Sequence, residues 1–168
     1  YYTDNMVVAH WSEASGWSNA ELVPYAPITL DPATAVFHYG QEIFEGLKAY
    51  RQADGGVSLF RPEENGARFA RSAKRMALPE LAVEDFVATV ETLVKQDAGW
   101  VPNNPGESLY IRPFMIASEV GLGVRPSNAA MYLLIATPAA AYFNASKPVS
   151  VWISTEYVRA APGGTGEA

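Results

Sequence analysis

Ser108-Leu109-Tyr110-Ile111-Arg112-Pro113-Phe114 is the stretch that decides how this chain folds. In a strand over Leu109 to Ser118, Tyr110, Arg112 and Phe114 share one face, while Leu109, Ile111 and Met115 share the other. One face is wholly apolar and the other runs aromatic, arginine, aromatic. Such a face can be a carboxylate-binding wall, because the guanidinium fork donates to an anion while the rings exclude water. Strand alternation also produces it routinely as a solvated sheet face with a structural ion pair. The residues alone leave both readings open.

Working outward, Met131 to Thr137 and Val149 to Thr155 read as two more strands. A glycine-containing loop at Gly121-Leu122-Gly123 and a connection from Pro138 to Pro148 separate the three. Upstream, Val83 to Asp97 reads as a helix with Phe86, Val87, Val90, Leu93 and Val94 as its buried stripe and Gly99 as its stop. A helix before it starts at Pro62, with Glu63 and Glu64 near the positive end of its dipole. There Ala67, Ala70, Ala73 and Ala77 share a face, with Arg68, Arg71 and Arg75 beside it. Ala53-Asp54-Gly55-Gly56 is a hairpin signal between Glu42 to Arg51 and Val57 to Phe60. Met6 to Trp11 is a short apolar run. Glu21 to Tyr25 and Thr34 to Tyr39 are strand candidates that Pro24, Pro27 and Pro32 confine to edges. Strands, two main helices, then strands predict an α+β domain with a mostly antiparallel sheet.

Composition narrows the function. The 168 residues are 49% hydrophobic, 12% aromatic and 18% charged, which permits a packed core and argues against wholesale disorder. Twelve Lys and Arg against eighteen Asp and Glu leave a net charge of -6, unsuited to gripping nucleic acid or an acidic membrane surface. With no cysteine, the stretch has no disulfide, thiolate zinc site or thiol nucleophile. His10 and His38 are too few for a histidine-based metal centre. Apolar runs such as Met131 to Ala136 are too short to span a bilayer. A start at Tyr1-Tyr2-Thr3-Asp4, lacking Met and any signal-peptide layout, and an end in Gly163-Gly164-Thr165-Gly166-Glu167-Ala168 predict a soluble piece of a longer protein.

Few motifs carry chemistry by themselves. There is no P-loop and no G-x-S-x-G elbow. The terminal glycine-rich stretch can approach an anion but lacks the flanks of a nucleotide fold. Glu42 and Glu45, at i and i+3, face opposite sides of a strand, which weakens them as an acid–base pair. Arg68 is by pattern a surface charge, unless its helix borders a phosphate site. Gly40 and Gly46, beside Tyr39 and Phe44, allow a ligand or another backbone close approach, and the two aromatics are equally at home in a core.

Several segments are informative as an ordered set: His38-Tyr39-Gly40-Gln41-Glu42-Ile43-Phe44-Glu45-Gly46-Leu47-Lys48-Ala49-Tyr50-Arg51, Leu59-Phe60-Arg61-Pro62 with Asn65 and Arg68, and Leu109-Tyr110-Ile111-Arg112-Pro113. Glu119, Gly121-Leu122-Gly123-Val124, Ala141-Tyr142-Phe143 and Tyr157-Val158-Arg159-Ala160 follow. Over essentially the whole chain this set closely resembles the branched-chain amino acid aminotransferases, fold type IV (class IV) enzymes that use pyridoxal 5′-phosphate. The resemblance implies a two-domain enzyme, with residues 1–147 as the smaller N-terminal α/β domain. Residues 148–168 would be the interdomain connection and the start of the cofactor-binding C-terminal domain. It also implies that the lysine forming the Schiff base follows just after Ala168, since none of Lys48, Lys74, Lys95 and Lys147 stands in the matching motif.

Further roles follow from the resemblance residue by residue. Arg68 matches the arginine that binds the cofactor phosphate. Tyr39, Phe44, Gly46, Tyr110, Val124 and Tyr142 match positions lining the substrate pocket, and Tyr2 matches an aromatic at its edge. Arg112 matches the arginine that recognises the distal carboxylate of the acidic substrate. The implied substrates are L-leucine, L-isoleucine, L-valine, L-glutamate and their 2-oxo acids. The resemblance implies a homodimer in which the Val124 loop reaches toward the partner's pocket. The lack of a targeting segment predicts a cytoplasmic location, and the composition predicts no metal, nucleic acid or membrane partner. D-amino acid aminotransferase and aminodeoxychorismate lyase share the fold and stand as alternatives, less well matched at Glu45 to Arg51 and Gly121 to Val124. A non-catalytic binding or dimerisation module is the alternative of a different class.

Overall fold

A computed structural model describes residues 1–140 and 148–166. Its strands are β1 (Asn5–Ser12), β2 (Gly16–Trp17), β3 (Glu21–Pro24), β4 (Glu42–Phe44), β5 (Leu47–Arg51), β6 (Val57–Leu59), β7 (Ser108–Ala117) and β8 (Ala129–Ala139). Its helices are α1 (Ala35–Tyr39), α2 (Pro62–Arg75) and α3 (Val83–Gln96), followed by a 3-10 turn at Ala98–Trp100. The strands form one sheet in the order β2-β1-β8-β7-β5-β6, with β3 beside β1 and β4 beside β7. All pairings between these strands are antiparallel. The α+β architecture with a mostly antiparallel sheet and two main helices is therefore the one predicted.

The period-two reading of β7 holds. Leu109, Ile111 and Met115 are fully buried, whereas Tyr110, Arg112 and Phe114 are partly exposed on the other face. α2 and α3 cover the apolar face, where Phe69 packs 5.5 Å from Phe86 and edge-on to Tyr132 at 5.7 Å. The Tyr132 phenol shares a hydrogen bond with the Thr89 hydroxyl at 2.9 Å. Burial pushes its pKa well above the ordinary 10.0 despite that partner. The opposite face of β7 carries Tyr110, Arg112 and Phe114.

Four local expectations change. Thr34 to Tyr39 is not a strand: Ala35–Tyr39 is a short helix entered from a turn at Asp31. The Asp31 carboxylate accepts the Ala33 N–H at 2.7 Å, and the Thr34 hydroxyl donates to the Asp31 carbonyl at 2.6 Å. Gly40, left-handed at φ 58°, ends that helix with its N–H on the Val36 carbonyl, a conformation that favours glycine. Glu42 to Arg51 is two strands, interrupted at Glu45-Gly46. Gly99 does not stop α3, whose C-cap is Asp97. Val149 to Thr155 forms no strand and is exposed throughout, since no strand lies alongside it among the described residues.

Phe69, on α2, touches both α3 and the sheet with no exposed surface. Phe69→Ala is expected to cost the complete protein about 3–5 kcal/mol, read from the midpoint of denaturant unfolding.

Candidate active site

The interruption between β4 and β5 builds the site. Phe44 pairs with Phe114 and Leu47 with Ile111, so one register continues through the gap and sets Glu45 opposite Pro113 and Gly46 opposite Arg112. The Glu45 N–H donates to the Pro113 carbonyl at 2.9 Å, and proline has no N–H to return the bond. Alternation then sends Glu45 to the helix side and leaves Gly46 as a gap in the open face. A Cβ at Gly46 would lie 2.5 Å from the Tyr110 hydroxyl oxygen, so only glycine leaves room for that phenol. Tyr110 in turn accepts from Arg112 Nη2 at 2.7 Å and Nε at 3.2 Å. The Arg112 guanidinium carbon stands 4.5 Å from the centre of the Phe44 ring and 5.3 Å from that of Tyr110. Gly46, Tyr110, Arg112 and Phe44 are thus one cluster: a cation held between two rings, with Nη1 free of these bonds.

On the helix side, Glu45 is buried and meets α2. Its Oε1 accepts from Arg68 Nε, and its Oε2 accepts from Arg68 Nη2 at 2.7 Å, Asn65 Nδ2 at 2.9 Å and the Gly46 N–H at 3.2 Å. Burial works to raise the Glu45 pKa, but the hydrogen bonds from Arg68, Asn65 and Gly46 and the Arg68 charge outweigh it and hold the group below its ordinary 4.5. The same pairing raises Arg68, whose side chain is 58% exposed against 3% for Glu45. Glu42 and Glu45 do face opposite ways, as strand geometry requires.

Arg68 lines a cleft of about 440 Å³ along β4, together with Gly40, Phe44, Gly46, Ser72 and Thr165. Thr165 reaches it because Arg75, two turns along α2 from Arg68, donates through Nη2 to the Gly163 and Gly164 carbonyls at 3.2 and 2.9 Å. Glu42 and Glu45 line the same cleft, so an anion lodged there would meet the Arg68 guanidinium, the Ser72 and Thr165 side chains and a glycine-lined wall, with Glu45 already engaged by Arg68. Another cavity of about 400 Å³ lies between α3 and the β1–β3 ribbon and holds none of the residues singled out from sequence.

The remaining candidates lie apart from this cluster. Tyr2 stacks on Tyr25 at 5.0 Å, near the end of β8. The Thr137 hydroxyl there donates to the Tyr1 carbonyl at 2.6 Å, and Thr137 is the register partner of Tyr110. Tyr39 donates to the Leu122 carbonyl, tying α1 to the loop between β7 and β8. Glu119 braces that loop through Arg125 and through the Asn128 N–H at 2.8 Å, while Val124 is 89% exposed. Tyr142 lies outside the described residues. Glu45, Asn65 and Thr165 received no role from sequence. The spacing of Asn65 and Arg68, three apart on one helix face, was the available sign that both reach a single acceptor.

No family model matches the chain. It is 59% identical over its whole length to a probable branched-chain-amino-acid aminotransferase of Streptomyces coelicolor and 61% identical to a branched-chain-amino-acid aminotransferase of Mycolicibacterium smegmatis. These alignments cover 47% and 46% of those proteins, so the chain spans about half the length of the curated relatives it matches. The match is to their N-terminal part. Among solved structures, the T.th. branched-chain amino acid aminotransferase with pyridoxamine 5′-phosphate superposes with a TM-score of 0.63 at 28% identity, covering 83% of this chain and 42% of that one. The same enzyme has been solved with N-(5′-phosphopyridoxyl)-L-glutamate and with 4-methylvaleric acid.

Two outcomes follow from the geometry. Gly46→Ala must displace the Tyr110 ring, and an unfolding cost of about 1–3 kcal/mol is expected by thermal or denaturant melting of the complete protein. Because the folded Glu45 pKa is depressed, its contribution is present above the unfolded value of 4.5 and is lost as pH falls through the folded one. Glu45→Gln should flatten that acid limb of the stability-against-pH curve. An unchanged limb would show that Glu45 does not supply it.

Proposed function

We propose that the chain is the N-terminal part of a branched-chain-amino-acid aminotransferase of fold type IV. The complete protein would move the amino group of L-leucine, L-isoleucine or L-valine to 2-oxoglutarate with pyridoxal 5′-phosphate. The observation that carries this reading is the placement of Arg68 on the cleft edged by Phe44 and Gly46, in a chain alike throughout to such enzymes. Residues 1–147 are assigned to the small domain and 148–168 to the connection into the cofactor-binding domain.

The donor set suits a phosphate monoester. Arg68 offers a fixed fork whose Nε and Nη2 are already on Glu45, leaving Nη1 for an incoming oxygen. Both Glu45 oxygens are engaged, Oε1 by Arg68 Nε and Oε2 by Arg68 Nη2, Asn65 and the Gly46 N–H. When bound, pyridoxal phosphate would supply an electron sink for the carbanion left on proton removal. The lysine expected just beyond Ala168 would move that proton. This chain contributes binding and orientation. Phe44 and the Tyr110 ring give an apolar wall for a branched side chain, and Arg112 gives a cation for the distal carboxylate of glutamate or 2-oxoglutarate. The Tyr110 hydroxyl fixes two of the guanidinium nitrogens, which turns the third toward a ligand at little entropic cost.

Tyr2, Tyr39, Val124 and Tyr142 are assigned to the pocket's edge and to its completion in a homodimer. The braced loop that holds Val124 outward supports that placement. The proposed location is the cytoplasm. No helix among the described residues is long and apolar enough to cross a membrane.

Assaying the complete protein with L-leucine, D-alanine and aminodeoxychorismate tests the reading, and turnover confined to L-leucine and its congeners is the expected result. Borohydride should fix the cofactor covalently to the lysine after Ala168. Turnover of D-alanine or aminodeoxychorismate instead would move the protein to one of the related activities. Arg112→Ala should slow the single-turnover half-reactions with glutamate and 2-oxoglutarate by about tenfold, and more than the half-reaction with leucine. Equal losses on both would count against Arg112 as the carboxylate ligand.

A further inference from the structure

We infer that Glu45 is a positioning residue: its buried carboxylate holds the Arg68 guanidinium in the orientation that receives the cofactor phosphate. The inference rests on the assignment of Arg68 to that phosphate. It concerns a group to which the resemblance gives no role.

Four features of the molecule carry it. A side chain as long and exposed as Arg68 samples many rotamers unless something fixes it, and the freedom lost on binding weakens the ligand. Glu45 removes that freedom beforehand by accepting from Nε and Nη2 together, a two-point grip that sets the plane of the fork. The grip is itself anchored. The Glu45 backbone is fixed to Pro113, and Asn65, one turn before Arg68 on α2, holds the same carboxylate oxygen at 2.9 Å and the Gly46 carbonyl at 3.3 Å. Finally, Arg68 and Glu45 both border the cleft, but Glu45 is 3% exposed and Arg68 58%, so the more buried carboxylate anchors the more accessible guanidinium.

Electrostatics and geometry make opposite predictions here. As a nearby negative charge, Glu45 would weaken phosphate binding, and its removal would tighten it. As the brace of the fork, its removal would weaken phosphate binding and leave the rest of the cofactor's contacts alone.

The test uses the complete protein and measures dissociation constants for pyridoxal 5′-phosphate and for pyridoxal, which lacks the phosphate. Glu45→Gln is expected to weaken pyridoxal 5′-phosphate by about tenfold while leaving pyridoxal unchanged. In an Arg68→Ala background the same substitution should add nothing, because the brace then has nothing to hold. Asn65→Ala, which loosens the carboxylate without removing its charge, should give a smaller loss in the same direction and serves if Glu45→Gln does not fold. Tighter binding in Glu45→Gln, or equal loss for both ligands, overturns the inference. If Glu45→Gln does not fold, unchanged pyridoxal 5′-phosphate binding in Asn65→Ala overturns it. A wild-type protein that binds the two ligands equally well instead overturns the phosphate assignment of Arg68, a separate failure.

Discussion

A single missing hydrogen-bond donor shapes the region around the site. β7 pairs with β4 and β5 along one side and β8 along the other, and Pro113 sits in it with its imide facing the β4–β5 junction. The ladder is incomplete at that point, although its register continues on either side. The two residues spanning the gap are Glu45 and Gly46. One passes a carboxylate through to the helix layer, and the other leaves a hollow on the open face. A charged group in the buried layer would be costly if it were alone. Here α2 supplies an arginine and an asparagine to meet it, so the helix is keyed to the sheet by polar contacts as well as by Phe69.

The two sides of the sheet consequently do different work. The helix side is close-packed around Phe69, Phe86 and Tyr132 and fixes where α2 lies. The open side keeps its aromatic surface and its guanidinium accessible. Arg68 belongs to both, since it is held by a group in the buried layer and lines the cleft at the sheet's edge. That arrangement lets a rigid core dictate the geometry of an exposed cation, which surface charges on their own rarely achieve.

Much of this was legible in the residues. Alternation in Ser108 to Phe114 assigned the two faces of β7 correctly, and the apolar stripe of Val83 to Asp97 gave α3 with the end displaced by one residue. Thr34 to Tyr39 misled because its short apolar run has no decisive period. The Asp31 turn and the left-handed Gly40 fix it as a helix. Val149 to Thr155 has strand-like composition, but composition does not supply a neighbour to pair with. Arg68 was indistinguishable from a surface charge by pattern and became a candidate only through resemblance. Its partner Glu45 lies 23 residues away, across a hairpin, and no local spacing brings such a pair together.

The stacking of Tyr110 over Gly46 also ties together the fates of three positions as sequences drift. A methyl at 46 collides with the phenol, and even without the hydroxyl the ring carbons would lie at 3.1 and 3.2 Å. Any side chain at 46 therefore requires the Tyr110 ring to move or to be replaced by a smaller one. Losing that ring strips Arg112 of its acceptor and of one of its two aromatic faces. The three positions are therefore mechanically coupled: what stands at 46 decides how the ring at 110 can sit, and that ring decides what holds the guanidinium at 112.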